Sequence, residues 1–131
     1  MNGGGVFLMK LFLILGVING FLAVALGAFG AHGLEGKIPE KYLKTWQTGV
    51  QYQMFHAGAL FVVAFLVDKF TNIGAFTTAG WLFLAGIILF SGSLYVLSVT
   101  QISILGAITP LGGLAFLGGW LLVGYAAIRY L

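Results

Sequence analysis

Apolar residues fall along this chain in four long stretches, at 7–31, 49–67, 74–99 and 104–128, and short polar segments separate them. A helix needs about 20 apolar residues to cross the hydrocarbon core of a bilayer, and each stretch approaches or exceeds that length. The pattern predicts an all-α, polytopic membrane protein whose single domain, residues 1–131, is a bundle of four transmembrane helices. A short amphipathic segment near Pro39 is expected to lead into the second helix, since proline suits the first turn of a helix.

The polar joints predict how the helices follow one another. Residues 32–45 form the longest joint, with two acids, three lysines and Pro39. Residues 68–72 form a short turn, and residues 100–103 are so few that the third and fourth helices must form a tight antiparallel hairpin. The side of the membrane that holds the 32–45 joint is called the loop side below, and the other is called the opposite side.

The start of the chain has two interpretations. Met9 and Lys10 followed by LFLILGVI resemble a natural start, so residues 1–8 are expected to be an extension. A signal peptide is the alternative, but this apolar run of more than 20 residues exceeds the roughly 7–15 residues of a typical signal core.

Composition places the chain in lipid and leaves its orientation open. Hydrophobic residues make up 60% and charged residues 7% of the sequence, and there is no cysteine, whereas a soluble domain has roughly 25% charged residues. Disulfides and cysteine chemistry are excluded, and no basic run exists to follow a nucleic acid. The positive-inside rule gives a tie, because three basic residues lie on each side: Lys10, Lys69 and Arg129 opposite Lys37, Lys41 and Lys44.

Small residues recur along the helices at spacings that favour close packing. Burial of apolar surface cannot drive helix association in lipid, so close backbone approach at small residues takes its place. We expect packing contacts at six glycines: Gly16, Gly20, Gly27, Gly86, Gly112 and Gly113. Pro110 is expected to lie one turn into the fourth helix and to kink it.

Polar residues inside the predicted helices gather in the leaflet on the loop side, while Asn19 stands alone near mid-membrane. Such residues are costly in a bilayer and usually face the bundle interior. We expect Gln53 and His56 to point toward Ser91 or Ser93 and Thr109, forming a polar pocket that opens to the loop side. His32 and Trp46 are expected near the mouth of this pocket. The candidate pocket residues are His32, Trp46, Gln51, Gln53, His56, Ser91, Ser93 and Thr109. The same residues fit two other roles, hydrogen bonds that only hold the helices together and reaction chemistry.

Catalysis and metal binding find little support in the sequence. A Ser-His-acid set needs an acid beside the histidine, but Glu35, Glu40 and Asp68 all lie in loops. Two histidines and a methionine do not supply the three or four ligands of a metal site. No catalytic residue, metal or cofactor is therefore predicted.

Four ordered motifs resemble those of the YgdD/YwdK-type small membrane proteins, whose relatives include transmembrane protein 256. The motifs are FGAHGL (29–34), WQTGVQYQMFH (46–56), FSGSLYVL (90–97) and ITPLGGLAFLGGW (108–120). The resemblance covers nearly the whole chain from Met9 and implies a bacterial inner-membrane protein with four spans and no assigned activity. It marks these positions: Gly30, His32, Gly33, Trp46, Gln51, Tyr52, His56, Ser91, Ser93, Tyr95, Thr109, Pro110, Gly112 and Gly113.

The sequence thus predicts a non-catalytic binding or accessory bundle in the plasma (inner) membrane. Its expected partners are membrane lipids, further copies of itself in a homo-oligomer and an unknown small ligand, and no nucleic acid. The alternative function is a small channel or carrier for a polar solute, a proton or a lipid-like molecule, which would use His56.

Overall fold

The computed structural model describes residues 3–131, and the chain folds there into helices joined by short turns. Helix α1 continues into a π-helical turn, and a second π-helical turn joins α3 to α4 without a break. The elements are α1 (Gly3–Phe29), a π-helical turn (Gly30–Leu34), α2 (Glu40–Lys69), α3 (Gly74–Gly86), a π-helical turn (Ile87–Gly92), α4 (Ser93–Thr100), a 3₁₀ turn (Ser103–Ala107) and α5 (Thr109–Tyr130).

Four of these helical runs are long and apolar enough to cross a membrane: Gly4–Leu34, Glu40–Lys69, Gly74–Thr100 and Ser103–Tyr130. They are called spans 1 to 4. No strand occurs among residues 3–131, so the prediction of an all-α membrane protein with four spans is confirmed. The amphipathic segment expected before the second helix is the first part of α2 itself, which begins directly after Pro39.

The predicted kink at Pro110 is wrong. Pro110 lies in the first turn of α5, where its missing N–H would have no helical partner in any case. A short 3₁₀ turn precedes the helix and occupies the residues that the apolar pattern assigned to its first turn. The hairpin into this turn is closed by Gln101, whose φ of 58° ends α4 in the left-handed conformation.

Spans 2 and 3 lie at the centre of the bundle. Helix α1 packs along α2, and α5 packs along α3, while α2 also contacts both halves of span 3. In span 2, 44% of the most apolar 18-residue segment is buried within the protein, against 22% of the corresponding segments of spans 1 and 4. Spans 1 and 4 therefore present most of their surface outward, as expected where lipid is the solvent.

The core is purely apolar toward the opposite side of the membrane. Buried aromatic and aliphatic side chains from all four spans fill it, including the fully buried Phe12, Leu60, Val63, Phe76 and Phe83. Buried polar side chains are Asn19, Gln53, His56, Ser91, Ser93 and Ser98. These buried polar side chains therefore lie outside the apolar core, in the rest of the bundle.

Glycines allow close approach at some of the predicted positions but not at all. A Cβ on Gly112 would lie 2.7 Å from the backbone carbonyl carbon of Leu89, so the backbones of spans 3 and 4 meet at the second π-helical turn. Gly16 lies against Phe61, Gly27 against Val50 and Gly86 against Phe116. The packing prediction does not hold at Gly20, where no atom of another helix lies within 4 Å of the Cβ position, because the adjacent Asn19 and not Gly20 is turned inward. Gly113 has only Phe90 nearby, at 4.0 Å.

Candidate functional site

A chain of hydrogen bonds links three spans through Asn19, Gln53 and Tyr95. Asn19 Nδ2 donates to the Leu15 carbonyl at 2.8 Å, Gln53 Nε2 donates to Asn19 Oδ1 at 3.0 Å, and Tyr95 Oη donates to Gln53 Oε1 at 2.7 Å. Because the Leu15 carbonyl can only accept, it fixes the orientation of the Asn19 amide. That orientation in turn fixes Gln53 as a donor and Tyr95 as a donor.

These three side chains form the polar floor of a lateral groove between spans 1 and 3, which we call the amide groove. Its volume is about 320 Å³, and its lining includes Asn19, Leu22, Gln53, Ile88, Gly92 and Tyr95. Leu22 and Ile88 are 40% and 61% exposed, so the groove opens sideways. The second π-helical turn, which contains Ile88 and Gly92, supplies one wall. Such turns inside α-helices occur frequently at functional sites.

His56 lies in a separate aromatic cluster between spans 2, 3 and 4. Its Nδ1 is 2.8 Å from the Tyr52 carbonyl, and Trp120 Nε1 donates to its Nε2 at 3.0 Å. A carbonyl only accepts and an indole only donates, so the pair fixes a neutral imidazole with its proton on Nδ1. The ring stacks on Phe116 with centroids 3.6 Å apart. The groove beside it, about 360 Å³, is almost wholly apolar and is lined by residues that include Tyr52, Phe55, Phe116 and Trp120.

The two serines expected near His56 contact other partners. Ser91 Oγ donates to the Gly49 carbonyl at 2.7 Å, which ties span 3 to span 2. Ser93 Oγ donates to the Phe90 carbonyl and lies 2.7 Å from Thr109 Oγ1, which ties span 3 to span 4. Among the described residues, every fully buried side-chain nitrogen and oxygen has a hydrogen-bond partner.

The predicted convergence of Gln53 and His56 on the serines and Thr109 is therefore wrong. The two residues are three positions apart on α2, which turns them about 60° from each other around the helix. That angle is enough to direct Gln53 toward spans 1 and 3 and His56 toward span 4. The polar residues form separate groups, and whether any of them binds a ligand remains a prediction.

Trp46, His32 and Gln51 do not lie together in one pocket either. Trp46 is 5% exposed and donates from Nε1 to the Leu26 carbonyl at 2.9 Å, so it packs between the helices and does not stand at a mouth. A Cβ on Gly30 would lie 2.7 Å from the Trp46 ring, which accounts for a glycine there. His32 is exposed on the first π-helical turn, and Gln51 is exposed beside Tyr52 and Phe55.

Three residues of these networks were not among the predicted pocket residues: Asn19, Tyr95 and Trp120. Asn19 carried a usable signal, since an amide near mid-membrane requires a partner on a neighbouring helix. No comparable signal marks Trp120, because tryptophan is common in membrane helices for reasons unrelated to histidine. A cluster of three or more His, Asp or Glu side chains able to hold a metal does not occur in residues 3–131.

Comparison with known proteins gives one family and several bacterial relatives. The profile of the family described as "Protein of unknown function (DUF423)" matches residues 26–113. The chain is 72% identical over 71 residues to UPF0382 membrane protein YwdK of Bacillus subtilis, covering 54% of this chain and 58% of that protein. It is 50% identical over 65 residues to UPF0382 membrane protein SERP0230 of Staphylococcus epidermidis, covering 50% of this chain and 52% of that protein.

A third relative, UPF0382 membrane protein SAUSA300_0565 of Staphylococcus aureus, is 54% identical over 55 residues, which cover 42% of this chain and 45% of that protein. The chain thus spans about half the length of the curated relatives it matches. No solved structure matches it.

Proposed function

We propose a binding role for this chain, which belongs to the family described as "Protein of unknown function (DUF423)". In this proposal it is a non-catalytic, multi-pass protein of the bacterial plasma membrane that takes a small ligand from the bilayer into the amide groove. The observation that carries the proposal is Gln53, which is only 4% exposed and lies at the floor of an otherwise apolar groove. An apolar recess with a few convergent polar groups is the usual form of a ligand site.

Two further features support binding over transport. The groove opens toward lipid between Leu22 and Ile88, so a ligand dissolved in the bilayer can enter without crossing water. A channel or carrier based on His56 would need that imidazole free, whereas both of its ring nitrogens are engaged. Self-association into a homo-oligomer remains a prediction.

A steric block tests the proposal. Gly92 lines the groove, and the nearest atom to its Cβ position is a backbone oxygen 4.0 Å away, so Gly92→Phe places its ring in the groove. Gly58 is an exposed glycine on α2 with nothing within 4 Å, and Gly58→Phe is the matched control. We expect native mass spectrometry of protein extracted with its lipids to show a bound small molecule in the wild type and in Gly58→Phe, and to show its loss in Gly92→Phe.

The result that contradicts the proposal is equally clear. If all three proteins carry the same bound masses, or if none carries any after mild extraction, the amide groove is not a ligand site. The Asn19–Gln53–Tyr95 chain then serves only to hold spans 1, 2 and 3 in register.

A further inference from the structure

We infer that the ligand of the amide groove is an uncharged carbonyl compound dissolved in the membrane, of the quinone class; this rests on the proposed function above. The inference comes from counting hydrogen-bond donors and acceptors at the floor of the groove. Each primary amide has two N–H donors. Gln53 uses one on Asn19, and Asn19 uses one on the Leu15 carbonyl.

Each amide therefore keeps a second N–H without a partner, whereas each amide oxygen already accepts one hydrogen bond. A buried N–H without an acceptor is rarer in proteins than a carbonyl oxygen with one lone pair free, so the free N–H groups set the demand at the floor. Asn19 Oδ1 accepts from Gln53, and Gln53 Oε1 accepts from Tyr95. Both amides line the groove, so a molecule bound there meets residues whose second N–H groups have no other partner. A complementary ligand brings acceptor oxygens, and a carbonyl oxygen with its two lone pairs meets two such donors.

The surroundings exclude a charged acceptor. Asn19, Gln53 and Tyr95 carry no charge, and the other lining residues named above are apolar or glycine. A carboxylate or phosphate at this depth would lack a cation to compensate its desolvation. The ligand oxygen is therefore uncharged, and a carbonyl oxygen, which accepts and does not donate, is the neutral group that matches two free N–H donors.

Depth separates a quinone-type ring from an ordinary lipid. Asn19 lies midway between Gly4 and Leu34, the ends of span 1, whereas the ester carbonyls of glycerolipids lie at the edge of a hydrocarbon core about 30 Å thick. A carbonyl at mid-membrane needs a molecule that is apolar on all other sides. A flat ring with carbonyls and an alkyl tail fits a lateral groove of about 320 Å³, with the tail left in the bilayer.

The experiment uses a short-chain alkyl benzoquinone, with ¹³C-labelled carbonyls, and the full chain in phosphatidylcholine vesicles. Gln53→Leu removes the donors at similar side-chain volume. Gln51→Leu is the matched control, since Gln51 lies two residues away on the same helix and is exposed outside the groove. We expect the wild type and Gln51→Leu to bind the quinone saturably and to lower its carbonyl stretching frequency. We expect Gln53→Leu to bind at least tenfold more weakly and to lose the shifted band.

The other outcomes of this experiment contradict the inference, and they show whether the fault lies in the inferred ligand or in the groove as a ligand site. If the quinone binds equally to Gln53→Leu, or binds without a shifted carbonyl band, the inferred chemistry is wrong. If the quinone fails to bind while a co-purified molecule is still lost in Gly92→Phe, the groove is a ligand site for a different class and only this inference fails. If Gln53→Leu does not fold, Gly92→Phe, which retains both amides, must still abolish quinone binding for the inference to stand.

Discussion

The indole of Trp120 holds His56 in a single protonation state through one hydrogen bond. Removing its N–H leaves a buried ring nitrogen without a donor, and interhelical hydrogen bonds of this kind contribute roughly 0.6–2 kcal/mol. We expect Trp120→Phe to lower the free energy of unfolding by about 1 kcal/mol in reversible unfolding with a denaturing detergent. Trp81→Phe is the control, because the Trp81 ring packs against Phe12 and a phenyl ring preserves that contact.

A double-mutant cycle identifies the source of the loss. Trp120→Phe should cost nothing further in a His56→Phe background, since the acceptor is then gone. Equal costs in both backgrounds would show that ring packing, not the hydrogen bond, stabilises this contact.

At this scale the sequence predicted which residue types are buried but not which of them meet. Gln53 and His56 were expected to share partners because three positions on a helix lie on nearly the same face. Whether a 60° difference joins two side chains or separates them depends on where the neighbouring helices lie, and one sequence does not contain those positions.

Among the elements, the contact between α5 and the second π-helical turn is the closest backbone approach found among the glycines. A Cβ on Gly112 would meet backbone atoms of Leu89 and Phe90, which cannot move aside as a side chain can. We expect Gly112→Ala to destabilise the protein by about 1–3 kcal/mol, as overpacking generally does. The neighbouring Gly113→Ala should not destabilise the protein, because its nearest atom is a Phe90 ring carbon at 4.0 Å and alanine is the better helix former.

Thermal unfolding of the two variants in one detergent checks this pair. Equal stability of Gly112→Ala and Gly113→Ala would mean that spans 3 and 4 separate easily at this point.

The helices themselves were predictable, since apolar length alone located four spans. The π-helical turns and the 3₁₀ turn before α5 were not predictable, because packing between the spans determines them and the local sequence does not.

For the whole molecule, three basic residues on each side leave the direction of insertion balanced. The positive-inside rule counts lysine and arginine near helix ends, so a change of two charges should decide the orientation. We expect Lys37→Gln with Lys41→Gln to place the loop side away from the cytoplasm, and Lys10→Gln with Lys69→Gln to place it in the cytoplasm. The chain has no cysteine, so Glu35→Cys gives a single thiol whose reaction with a membrane-impermeant reagent reports the result.

Identical labelling of both charge variants would show that these lysines do not govern insertion.

The class of protein and the number of spans followed from composition and apolar length. The orientation did not, because the basic residues on the two sides are equal in number. The ligand did not, because it depends on which side chains meet in the folded bundle.

Helix α2 has a consequence for the bilayer around it. With 30 residues it is about 45 Å long, half as long again as the roughly 30 Å hydrocarbon core. Its surplus lies on the loop side, where Lys41 and Lys44 are exposed, and Trp46 fastens it to span 1 just below. Hydrophobic mismatch is commonly relieved by tilting a helix or by thickening or thinning the lipid. The surplus of α2 causes no such mismatch, because its exposed lysines would be costly in hydrocarbon and belong in the headgroup layer, where anionic lipids attract them.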